Sequence, residues 1–244
     1  MMIFDDLEAE QDRLQSILDG LDEVQWASPS AAAGWTIADV VLHLAQTEEA
    51  VLASATGVSL GVRPAPGAKL DEVMDQLVQA ERAAAPARVF QRWRTARLAA
   101  LAALRAADSQ QPLQWVEAPL KPATLATTRL AEHWAHGLDI TGPLGISFPD
   151  TIRLSHIAWL AHRSLSYAFA LAGQQPHEVF CELTAPDGTA HWQYGPSRAD
   201  SAITGPAGAF CRVAAQRLAP DQSGLLAQGP HGATALHLLR TYAA

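Results

Sequence analysis

A mainly α protein, an antiparallel four-helix bundle followed by a small α+β domain, is expected from three features of this chain. Before residue 145, four long segments repeat apolar residues at the three- and four-residue spacings of a helix. The connections between them are short or of medium length, which favours antiparallel neighbours. After about residue 174 the pattern changes to short β-branched and aromatic runs separated by turn residues. The expected division is a helical bundle over 1–148 and a helix plus small α+β domain over 149–244.

The first helix is IFDDLEAEQDRLQSILDG, residues 3–20, in which Phe4, Leu7, Leu14, Ile17 and Leu18 share a face and Gly20 ends the run. DEVQWASPSAAAGW follows, and with Pro29 and Gly34 it reads as a loop. Thr36 opens the second helix with Asp39 three residues on, a pair resembling a capping box. IADVVLHLAQTEEAVLASA then runs to Gly57, and GVSLGVRPAPGAK is a connection rich in glycine and proline. Residues 70–107 keep a helical period, but Pro86 has no N–H and crowds the preceding turn, so a break or kink belongs near residue 85.

DSQQPLQWVEAPLK is a polar loop. Pro122 then suits the first position of the fourth helix, where a missing N–H costs nothing, and that helix ends around TGPLG. A fifth helix, DTIRLSHIAWLAHRSLSYAFALAG, follows Pro149 and closes at Gly173. VFCELTAPDGTAHWQYG is two strand-like runs around APDG, a hairpin signal. SAITGPAGAFCRVAAQRL reads as a strand entering a helix, and SGLLAQGPHGATALHLLRTYAA repeats that plan.

Of the 244 residues, 49% are apolar and 17% charged, enough for a sizeable core and too apolar for global disorder. A formal charge of −8 and a pI near 5.5 argue against a nucleic-acid partner, which calls for a basic face. The acidic start MMIFDDLEAEQDRL lacks the basic and apolar regions of a signal peptide, and RTARLAALAALRAAD is too short and polar to span a bilayer. The expectation is a soluble cytoplasmic protein with no membrane or nucleic-acid partner, a monomer or homodimer. Two cysteines, Cys181 and Cys211, have no paired spacing, which excludes a disulfide scaffold and a cysteine zinc finger. They read as buried small apolar residues.

Titratable side chains gather in TTRLAEHWAHGLDI, residues 127–140. Arg129, Glu132, His136 and Asp139 are three, four and three residues apart and share one helical face. Glu132 and His136 can therefore offer a carboxylate and an imidazole to one point, either as an ion pair or as two ligands of a divalent ion. His133 is an alternative partner for His136, but it stands on another flank.

Among the nine histidines, His43 continues the apolar stripe of Ile37, Val40, Leu44 and Val51. There it serves as a core histidine or as a third ligand from a facing helix. Two imidazoles and one carboxylate leave coordination positions open, the pattern of a catalytic metal site. No GxGxxG, GxxxxGK[ST] or HExxH occurs. His156 and His162, six apart, do not share a face, and Arg163 and Arg217 are candidate anion contacts.

GWTIADVVLHLAQTEEAVL resembles the second-helix motif of the DinB/maleylpyruvate isomerase superfamily, a tryptophan-led turn before a helix with a metal-binding histidine. TTRLAEHWAHGLDITGPLG resembles its fourth-helix motif, Arg-x-x-Glu-x-x-x-His-x-x-Asp and a glycine-containing turn. Order and separation, about ninety residues, match as well.

The resemblance implies a DinB-like bundle with a metal triad of His43, Glu132 and His136. It also implies a divalent ion, most often zinc, with nickel or another metal open, and a low-molecular-weight thiol such as mycothiol. In characterised members the thiol binds the metal as thiolate and attacks an electrophilic substrate. Arg129 and Asp139 match motif positions that are not ligands. Arg217, in AAQRL, is the nearest match to an arginine that helps bind anionic substrate in the isomerases. The implied activity is that of a thiol-dependent transferase or isomerase acting on a small electrophilic or unsaturated acid. The rivals are a hydrolase, hydratase or isomerase that uses no thiol, and a non-catalytic metal-binding module.

Overall fold

The computed structural model describes residues 2–58, 69–116 and 118–241. Helix α1 (Ile3–Leu18) turns Leu7, Leu14 and Leu18 inward. The segment after it, expected as a loop, contains a short helix, α2 (Glu23–Ala27). Asp22 accepts from the Gln25 N–H while the Gln25 side chain accepts from the Asp22 N–H, and buried Trp26 anchors the turn. This reciprocal cap outweighs the turn signals of Pro29 and Gly34 farther on. Thr36 and Asp39 form the same box at the start of α3 (Ile37–Ala55).

Residues 59–68, most of the connection GVSLGVRPAPGAK, lie outside the described residues. The next periodic stretch divides as expected into α4 (Leu70–Glu81) and α5 (Pro86–Ala106), with Pro86 in the first turn of α5. The loop that follows is pinched by one bridge, Leu113 to Leu120. Helix α6 (Pro122–Leu144) begins on Pro122 and ends at Gly145, whose φ of 64° satisfies the last carbonyls in the left-handed region where a side chain is strained.

In this antiparallel bundle α3 packs chiefly on α5, and α1 on α6. The core joins Leu14 and Leu18 of α1, Val40, Val41 and Leu44 of α3, Trp93 of α5 and Ile140 of α6. Burying each large apolar side chain contributes about 1.5–3 kcal/mol, so the α3 stripe alone supports the helix that carries His43. Gly137 of α6 lets the Phe148 ring lie on the helix; a Cβ there would stand 2.5 Å from the ring. Among the described residues no helix is long and apolar enough to cross a membrane.

The chain divides into two compact units, the first ending at Phe148 and the second beginning at Pro149. The single fifth helix expected in the second unit is two helices, α7 (Leu154–Arg163) and α8 (Leu165–Leu171). At the joint, Ser164 has φ −79° and ψ −7°, and its hydroxyl donates to the Leu160 carbonyl at 2.9 Å.

Strands β1 (Phe180–Thr184) and β2 (His191–Tyr194) form the expected antiparallel hairpin. Strand β3 (Ala202–Pro206) lies parallel to β1 on its other edge and leads into α9 (Ala207–Ala214). Strand β4 (Leu226–Gln228) pairs antiparallel with β3, giving the order β2-β1-β3-β4, and α10 (Gly232–Leu238) follows. Leu183, Ile203 and Phe210 are fully buried in this unit. Cys181 and Cys211 are buried free thiols; burial pushes Cys181 up to about 12 and Cys211 higher still, so neither is a nucleophile at neutral pH.

Candidate metal centre

Helices α3 and α6 face each other, and their packing brings His43, Glu132 and His136 together. One ligand atom from each residue lies within 4.8 Å of the others. His136 Nε2 is 3.4 Å and His43 Nε2 3.8 Å from Glu132 Oε2. The two rings are 5.0 Å apart, edge to face. Tetrahedral ligation at about 2.1 Å sets ligand atoms roughly 3.4 Å apart, so this donor set fits a divalent ion with small side-chain adjustments. Both histidines are buried and Glu132 is half-buried.

Each neighbour of the triad has a definite job. The Nδ1–H of His136 donates to Asp139 Oδ2 at 2.9 Å, because an ionised carboxylate can only accept. That fixes the tautomer and leaves Nε2 as the outward nitrogen. Burial alone would lower the His136 pKa, but Asp139 and Glu132 win and raise it. Burial lowers His43, with Glu132 only partly opposing. Burial would raise Glu132, yet the neighbouring imidazoles of His136 and then His43 hold it well below the usual carboxylate range.

Arg129 points into the bundle. Its Nε donates to Glu48 at 2.8 Å and its Nη2 to the Thr47 hydroxyl at 2.7 Å. This buried pair ties α6 to α3 one turn from the triad, and removing one partner would leave an uncompensated charge at a cost of about 3–5 kcal/mol. Burial pushes Glu48 up, with Arg129 opposing. His133 is turned away: it donates from Nδ1 to the Arg129 carbonyl and accepts at Nε2 from the Trp93 indole N–H. Burial and then the Arg129 charge push it down to about 3, so it is neutral.

Two participants were missed in the sequence. Glu48 had a signal, since it interrupts the buried stripe between Leu44 and Val51. Trp35 led a recognised motif but received no role; its indole lies over both imidazoles. Of the candidates in the second unit, Arg217 donates from Nη1 to the Ala215 carbonyl just past α9, and Arg163 lies over the Trp159 ring. His162 is bonded to the Val179 carbonyl.

The model of the mycothiol maleylpyruvate isomerase N-terminal domain matches residues 7–141. Uncharacterized proteins from two strains of Mycobacterium tuberculosis are each 35% identical over 222 residues, spanning 88% of this chain and 84% of theirs. Among solved structures, the mycothiol-dependent maleylpyruvate isomerase superposes with a TM-score of 0.64 at 14% identity, covering 93% of this chain and 95% of that one. A histidine mutant of that enzyme gives the same TM-score at 13% identity. At these identities the likeness to the solved structures is one of fold.

Proposed function

The chain belongs to the mycothiol maleylpyruvate isomerase N-terminal domain family, and from that membership we propose that it is a metal-dependent enzyme using a low-molecular-weight thiol such as mycothiol. Its reaction is transfer of the thiol to, or thiol-assisted isomerisation of, a small electrophilic or unsaturated acid. The observation that carries this reading is the cluster of His43, Glu132 and His136, three ligand atoms from two helices within 4.8 Å. These residues would hold a divalent ion, zinc in the first instance. Bound there with open positions, the ion would supply a Lewis acid that favours the deprotonated form of a neighbouring thiol.

The chain's own residues support the rest. Asp139 holds the Nδ1 proton of His136 and so keeps the ligand nitrogen free. Glu48 matches the Arg129 charge in the bundle interior. Neither thiol of the protein is placed to serve as the nucleophile, since both are buried and protonated, which leaves that role to a small thiol. Arg217 is proposed as the contact for a substrate carboxylate.

A cobalt-substituted sample titrated with mycothiol tests the reading. A new sulfur-to-cobalt charge-transfer band that saturates with the thiol is the expected result. A cobalt spectrum indifferent to mycothiol and to other small thiols would overturn the thiol chemistry and favour water-based chemistry or metal binding alone.

A further inference from the structure

The two imidazoles of the triad are oriented differently. His136 has the Asp139 hydrogen bond, but the Nδ1 of His43 is buried with no hydrogen-bond partner. Ligating histidines almost always donate their second N–H to a partner that fixes the ring. His43 has no such partner, so packing must set its rotation. Two rings stand against it: His136, edge to face at 5.0 Å, and Trp35, with centroids 5.2 Å apart and planes at 48°. The same indole lies nearly parallel to His136, at 6.4 Å and 23°.

Trp35 is itself pinned. Its Nε1–H donates 2.9 Å to Asp75 Oδ1 on α4, forty residues along the chain. Its carbonyl accepts from the Ser30 N–H and hydroxyl, and Ala31 of the same turn donates to the Asp139 carbonyl at 2.9 Å. Helix α4 is otherwise lightly packed, with Val78 its one buried residue, and is clasped by polar contacts: Gln46 to Leu77, and Arg82 to Asp39. The turn that carries the indole is thus tied to both sides of the triad.

We propose that Trp35 is a positioning residue for the metal site: its indole is the wall that fixes the His43 ring, and Asp75 of α4 holds that wall in place. This rests on the metal reading above. It assigns α4 a part in ligand geometry, although α4 supplies no ligand.

Cobalt(II) titration, read by affinity and by the visible d–d spectrum, tests it on Trp35→Ala, Trp35→Phe and Asp75→Ala. Trp35→Ala should weaken cobalt binding by about tenfold or more and change the band intensities, in the range typical for loss of an outer-sphere partner. Trp35→Phe keeps a ring against His43 and should recover most of both. Asp75→Ala should fall between them, in the same direction. A residue that merely fills space would lower the melting temperature and leave the cobalt spectrum of the folded protein unchanged.

Wild-type affinity and spectrum in Trp35→Ala would overturn the proposal. If that variant does not fold, Asp75→Ala decides, because the hydrogen bond it removes is exposed; unaltered cobalt binding there overturns it equally. A wild-type protein that binds no cobalt overturns the metal reading, and this proposal with it. Normal wild-type binding with indifferent variants overturns this proposal alone.

Discussion

His136 and His43, the two candidate imidazole ligands, are held from behind in different ways. In His136 a carboxylate 2.9 Å away sets the tautomer, and in His43 an aromatic ring replaces the hydrogen bond. Asp139→Ala should therefore weaken metal binding by about 10–100-fold while the backbone bond from Ala31 to residue 139 survives. A competition titration against a chelator of known affinity measures this, and an unchanged affinity would show that Asp139 only fills space. At this scale the sequence was informative where spacing alone decides. Glu132 and His136 had to share a face, and His43 had to join the stripe of Ile37, Val40 and Leu44. It was silent where partners meet across the fold: the Trp93–His133 and Trp35–Asp75 contacts each join residues forty apart, and no local pattern links them.

Helix α3 carries His43 seven residues after its cap, so the capping box sets where this candidate ligand stands. Thr36→Ala should cost about 1 kcal/mol in urea unfolding, within the 0.5–2 kcal/mol usual for a lost N-cap. Asp39 adds a pH dependence. Burial would raise its carboxyl, but the Arg82 and Thr36 hydrogen bonds hold it below its ordinary value of 3.8. A depressed carboxylate contributes stability that is present above the unfolded value and lost as pH falls through the folded one. Asp39→Asn should thus be destabilised relative to wild type at pH 7, and the gap should narrow at pH 3. A gap that widens on acidification would contradict this.

Elements with strong local signals were legible: the caps of α3, the Pro86 break, the Pro122 start and the β1–β2 hairpin. Helix α2 was hidden although Asp22 and Gln25 spell its cap, because Pro29 and Gly34 drew the whole stretch into a loop. The break at Ser164 was hidden because a serine is tolerated in many helices and the apolar period runs on through it. The parallel pairing of β1 with β3 was out of reach for another reason: strand order depends on contacts between distant segments, while alternation within a strand is the same for either direction.

In the molecule as a whole, the candidate ligands come from α3 and α6, two helices of one unit joined also by the buried Arg129–Glu48 pair. An ion held there would clamp the two helices, and its binding free energy would add to the stability of the folded state, about 2.7 kcal/mol at a free concentration one hundred times Kd. The family membership and the helical architecture hold whatever the ion is; the function proposed above depends on it.

The most direct test is therefore the metal content of the purified protein, by elemental analysis, beside that of His43→Ala. Close to one equivalent of zinc or a similar divalent metal per chain in the wild type, and its loss in His43→Ala with the fold intact by circular dichroism, is the predicted result. A wild-type protein that neither carries nor takes up a divalent metal, or a His43→Ala variant that retains it in full, would contradict the triad.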